Sequence, residues 1–90
     1  MDLVRTGAKR STVRAGLRGV HPGAAELVSG QDRIPVAVTK VESKFFGALD
    51  DEDATTDGFD NAQSLKETLL RFYPDLTDAS PVTIVYFDPA

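Results

Sequence analysis

Eight residues near the N-terminus, Gly7-Ala8-Lys9-Arg10-Ser11-Thr12-Val13-Arg14, bring a lysine amine, two guanidiniums and two hydroxyls into one short run. A lysine amine beside a threonine hydroxyl could act as the base that makes the hydroxyl nucleophilic. That chemistry requires a lysine pKa lowered by burial or by neighbouring cations, and Arg10 and Arg14 are the candidate cations. A carboxylate would complete such a site by orienting the lysine or relaying a proton. Asp57, directly ahead of Gly58 where the chain must turn, is the candidate. Each feature also has a plainer reading: a solvated Lys-x-x-Thr turn, and an aspartate that merely shapes a loop.

For these groups to meet, residues 7–10 must turn and Ser11-Thr12-Val13-Arg14 must form a short strand, so that Lys9 folds back over Thr12. Asp2–Thr6 could form a helical turn stopped by Gly7. Ala24–Ser29 and Arg33–Glu42 read as a hairpin around Gly30-Gln31-Asp32, with Pro35 at an edge, a strand start or a bulge because it lacks a ladder donor. Leu49–Asp57 is a short acidic segment whose first residues suit a helix N-terminus. Asp60 with Gln63 predicts a capping box for the longest helix. Along that helix Ala62, Leu65, Leu69 and Phe72 or Tyr73 make one buried stripe, and Pro74 ends it. Pro81–Phe87 is a strand rich in β-branched and aromatic residues. Few strands around a small core favour an α+β barrel, since closure removes exposed edges.

The chain of 90 residues with no cysteine reads as one domain, without disulfides, thiolate metal sites or a cysteine nucleophile. No apolar run is long enough to span a bilayer and no signal peptide is evident, so the expected location is cytoplasmic, away from membranes. The net charge of −4 is unevenly distributed: residues 1–44 carry eight Lys/Arg against four Asp/Glu, and residues 45–90 two against ten. The split fits either a local anion-binding patch or attraction between the two halves. Asp50–Asp53 lacks the glycine and terminal glutamate of a calcium loop. His21, the single histidine, has no partner at ligand spacing. No metal or other cofactor is therefore expected. Phe45, Phe46 and Tyr73 suit either the core or base stacking.

The Gly7, Lys9, Thr12 and Arg14 pattern resembles the Gly-x-Lys-x-x-Thr-x-Arg signature of the ASCH domains, a branch of the PUA-like superfamily. The likeness continues in order. It runs through Val36–Glu42 as a central strand, Phe45-Phe46, the acidic segment Asp53–Phe59, the helix closing on Phe72-Tyr73-Pro74, and the last strand, Val82–Phe87. The resemblance implies a small PUA-like mixed β-barrel with flanking short helices and a cleft holding the signature loop. It further implies RNA or nucleotide binding, with Gly7, Arg10, Arg14 and Arg18 as ligand-binding residues. Some members are amidohydrolases that remove an acyl group from N4 of cytidine, and at least one activity is of the ribonuclease type. By position the amidohydrolase residues become Lys9, Thr12 and Asp57, the last an Asp where those enzymes carry Glu. Binding of RNA or a nucleotide is thus the first expectation, nucleoside amide hydrolysis the second, and a non-catalytic protein-interaction domain the third.

Overall fold

The computed structural model describes residues 9–17, 19–29 and 31–89. The expected helical turn at 2–6, Gly7, Arg18 and the hairpin residue Gly30 lie outside those residues. Strands β1 (Ser11–Ala15), β2 (Gly23–Ser29), β3 (Asp32–Phe45) and β4 (Pro81–Pro89) form one sheet in the order β1-β4-β3-β2. Every pairing among the described residues is antiparallel. The sheet curls into half a barrel, leaving β1 and β2 as its edges. A 3-10 turn (Phe46–Ala48) and helices α1 (Asp51–Thr56) and α2 (Ala62–Phe72) are inserted between β3 and β4. This is the α+β arrangement, a curled sheet with flanking short helices, that the sequence leads one to expect.

The imperfect alternation of β3 has a local cause. Ile34, Val36 and Val38 are buried at period two, and then the register against β4 slips between Val38 and Lys40, with Thr39 as the extra residue. A bulge of this kind bends the strand and increases its twist, which helps a four-stranded sheet to curl. Pro35 sits opposite Glu26 of β2, one residue beyond the point at which β4 begins to pair at Val36. It therefore interrupts no bond to β4.

The main core lies under the helices. Val13, Phe46, Leu49, Ala54, Leu65, Leu69, Val82 and Ile84 form it, with half-buried Phe59, Tyr73, Leu76 and Tyr86 against them. A smaller cluster of Ile34, Val36 and Phe87 packs with Leu27 at the hairpin end. The predicted helix stripe divides at its end: Leu65 and Leu69 are buried and Tyr73 turns inward, while Phe72 is 73% exposed. The start of α2 differs from the Asp60–Gln63 expectation. Asn61 is the N-cap, its side chain accepting from the Ser64 amide at 2.9 Å. The capping box occurs instead on α1, where Asp50 accepts from the Asp53 amide and Asp53 from the Asp50 amide.

Buried Asp53 also accepts from Lys44 Nζ at 2.8 Å, so a cation from the basic half of the sequence meets an acid from the other half. Gly47 fixes the return to β4. Its amide donates to the Asp78 carbonyl at 3.0 Å, and a Cβ at this position would stand 2.8 Å from Asp78 Cβ and 3.1 Å from Asp78 Cα. The contact is with atoms at and next to the backbone, which cannot swing aside. Gly47→Ala is expected to cost roughly 1–3 kcal/mol of stability. That loss is measurable as a lower urea midpoint with an unchanged denaturant slope.

Candidate functional site

The site begins at the end of α1. Gly58, at φ +87°, reverses the chain in the left-handed conformation that glycine adopts without strain. The Gly58 amide donates to the Thr55 carbonyl at 3.1 Å and the Phe59 amide to the Ala54 carbonyl at 2.8 Å, the paired bonds of a Schellman motif. Asp57 is thereby the C-cap, with its side chain only 5% exposed. A carboxylate there stands among helix carbonyls carrying partial negative charge, so it needs a cation. Lys9 supplies it: Nζ contacts Asp57 Oδ1 and lies 3.4 Å from the Asp57 carbonyl oxygen. The same stretch is tied down on both sides. The Arg10 amide donates to the Thr56 carbonyl at 2.7 Å, and the Phe87 amide donates to the Arg10 carbonyl at 2.9 Å.

Between β1 and α2 lies a cavity of about 300 Å³. Lys9, Thr12, Arg14 and Asp57 form its polar wall, and Phe59, Leu65, Leu69, Phe72 and Tyr73 its apolar wall, with Val13 and Thr68 between. Because β1 is an edge strand, side chains of both parities reach the opening. Arg14 Nη1 donates to Thr12 Oγ1 at 2.6 Å and to the Val13 carbonyl at 3.1 Å. Among the described residues no hydrogen bond joins Lys9 to Thr12.

Burial lowers the Lys9 ammonium from its ordinary 10.5 to about 8, and the charge of the Arg14 guanidinium adds to that effect. The Asp57 carboxylate favours the protonated form and works against both. Withdrawal from water is the larger of the two lowering influences.

The structure therefore brings Lys9, Thr12, Asp57 and Arg14 to one cavity. Arg10 is exposed and lines a second one, of about 260 Å³, with Thr39, Thr56, Tyr86, Phe87 and Asp88. Consecutive residues of an extended chain point in opposite directions, so Lys9 and Arg10 part company. Gly7 and Arg18 lie outside the described residues. His21 is exposed, and among the described residues no three His, Cys, Asp or Glu side chains group to hold a metal ion. No described helix is long and apolar enough to cross a membrane. Of the aromatic pair, Phe46 is core and Phe45 is 63% exposed.

The residue pattern names Leu65, Leu69 and Phe72 or Tyr73 as a helix stripe but does not set them opposite Lys9 and Thr12 as a cavity wall. The Thr12–Arg14 bond was accessible from strand parity, since residues two apart share a face.

No family model and no curated protein matches this chain. A crystal structure of an ASCH domain from Lactobacillus crispatus JV V101 superimposes on it with a TM-score of 0.82, covering 98% of this chain and 68% of that one. The fold is that of an ASCH domain. Sequence identity over the match is 13%, so the ASCH-like fold is shared with little of the sequence.

The depressed Lys9 pKa has a direct consequence for stability. Between pH 8 and 10.5 the unfolded chain binds the Lys9 proton while the folded chain has released it, so stability rises with pH through that window. Below pH 8 both states are protonated and the cost of burying the charge is present in full. Wild-type protein is expected to gain stability relative to Lys9→Met between pH 7.5 and 9.5, measured by urea denaturation at each pH.

Proposed function

We propose that this chain is a single ASCH-type domain, working in the cytoplasm, that binds a nucleoside unit in the cavity between β1 and α2, either free or at the end of an RNA strand. The observation that carries this reading is the cavity's two-sided chemistry. A nucleobase offers flat π-faces and a hydrogen-bonding edge. Phe59, Phe72 and Tyr73 supply aromatic surface, while Lys9, Thr12, Arg14 and Asp57 supply donors and acceptors opposite. Phe72 is 73% exposed at the end of α2, on the cavity's apolar wall, and stacking a base on it would remove that surface from water.

The footprint on RNA is small. Lys9 is paired with Asp57, Arg14 is bonded to Thr12, and the chain as a whole is acidic at −4. A ligand that adds one phosphate contact should show a salt slope near −0.7, the value for about one released counterion on single-stranded nucleic acid. Binding of cytidine and of short single-stranded RNA is measured by calorimetry over a range of salt. Phe72→Ala should weaken either ligand by roughly tenfold, since stacking on one aromatic contributes about 1–3 kcal/mol. A slope steeper than about −3, or indifference to Phe72→Ala, would point to an extended surface site and not to this cavity.

A second reading is favoured by the depressed Lys9 pKa together with Thr12 and Asp57 in the same cavity: hydrolysis of an acyl amide on the exocyclic N4 of a bound cytidine. In that reaction Thr12 Oγ1 attacks the amide carbonyl carbon as Lys9, in its free-amine form, takes the hydroxyl proton. Collapse of the tetrahedral intermediate breaks the C–N bond, and the departing N4 receives the proton from Lys9. Water then hydrolyses the threonine ester, giving the carboxylic acid and restoring the hydroxyl. Asp57, one methylene shorter than glutamate, still reaches Lys9 and orients it between proton transfers.

The free amine is a minority species below the Lys9 pKa. Turnover of N4-acetylcytidine should therefore rise about tenfold per pH unit up to about 8 and level off above it. Lys9→Ala should abolish turnover of N4-acetylcytidine, with its unfolding midpoint compared with wild type to separate loss of the base from loss of the Asp57 partner. Wild-type protein that binds cytidine but releases no product from N4-acetylcytidine would leave the binding reading standing alone.

A further inference from the structure

The sequence pattern treats Arg14 as a ligand contact, yet the structure gives its guanidinium a partner inside the site. Arg14 Nη1 stands 2.6 Å from Thr12 Oγ1. Arginine is a donor only, and it stays charged throughout the working pH range. The threonine oxygen must therefore accept this bond, and its own hydrogen is left free to be given away. A cation bonded to the hydroxyl oxygen also stabilises negative charge that develops there when the proton leaves. The second bond, to the Val13 carbonyl at 3.1 Å, anchors the guanidinium to its own strand, so its position does not depend on a ligand.

We propose that Arg14 activates Thr12, holding the hydroxyl as an acceptor so that its proton is released toward Lys9 and the resulting alkoxide character is stabilised. The proposal rests on the amide-hydrolysis reading given above. Arg14 acts on the base as well as on the nucleophile. The titratable and charged groups around Lys9 in the cavity are Arg14 from β1, Asp57 from the end of α1 and Tyr73 from the end of α2. Arg14 is the one cation among them, and its charge helps to keep the Lys9 amine free at lower pH. A single guanidinium thus stabilises the developing alkoxide on Thr12 and raises the share of Lys9 present as free amine near neutral pH.

The test uses the whole chain and compares wild type, Arg14→Gln and Arg14→Lys in two measurements. The first follows the Lys9 side chain by NMR as pH is raised. The second follows acetyl transfer to Thr12 from p-nitrophenyl acetate by mass spectrometry, alongside turnover of N4-acetylcytidine. Arg14 is solvent-exposed, so both variants are expected to fold, as verified by their unfolding midpoints. In Arg14→Gln the Lys9 midpoint should move up from about 8, and acetyl transfer should fall roughly 10²–10³-fold, the usual loss for a donor that stabilises developing negative charge. Arg14→Lys should keep the Lys9 midpoint near the wild-type value and recover part of the rate, because it restores charge without the planar fork.

An active wild type whose Arg14→Gln variant keeps the same rate, or the same Lys9 midpoint, overturns the role of Arg14. A wild type inert toward both acyl donors overturns the hydrolysis reading itself, and this assignment with it.

Discussion

The burial of the Asp57 carboxylate is the constraint around which the site is organised. A carboxylate that is 5% exposed at the carbonyl end of a helix needs a hydrogen-bond donor against it. Lys9 meets that need, and in doing so the segment ahead of β1 is drawn under the end of α1. The backbone bonds of Arg10 to Thr56 and of Phe87 to Arg10 follow the same line, stitching helix, segment and sheet together. Thr12 and Arg14 come two and four residues further on, already paired with β4 through Val85 and Thr83. Their place beside the cavity is therefore inherited from that anchorage.

The charge division in the sequence has a similar explanation. Lys9 meets Asp57 and Lys44 meets Asp53, so basic residues of the first half are matched with acids of the second at buried or half-buried positions. This favours attraction between the halves over a broad anion-binding face. Other pairs, such as Arg33 with Glu26 and Lys40 with Glu42, are local to the sheet and more exposed, where such contacts contribute little.

Much of this was legible in residue types. Gly58 marked the turn that positions Asp57, and β-branched residues marked β1 and β4. The polar wall could thus be anticipated from Lys9, Thr12 and Asp57. Other features were illegible for physical reasons. The bulge at Thr39 reads in sequence only as faltering alternation, because an extra residue on one strand is defined by its partner. Asp60 and Asn61 are both good caps, and the choice between them depends on where α2 meets the core. Phe72 and Tyr73 are both aromatic and adjacent; which one turns inward is decided by helix rotation in three dimensions.

The exposed ring of Phe72 belongs to the last turn of α2, whereas the ammonium, hydroxyl and carboxylate belong to the segment ahead of β1, to β1 itself and to the end of α1. In the proposed reading, reactivity and selectivity would thus reside on separate pieces of the chain. The helix tip can exchange one side chain for another, reshaping the mouth of the cavity, without disturbing the ionic knot beneath it. A scaffold divided in this way lends itself to diversification: ligand preference can drift by substitution at one helical terminus while the groups that would handle protons stay where the sheet holds them.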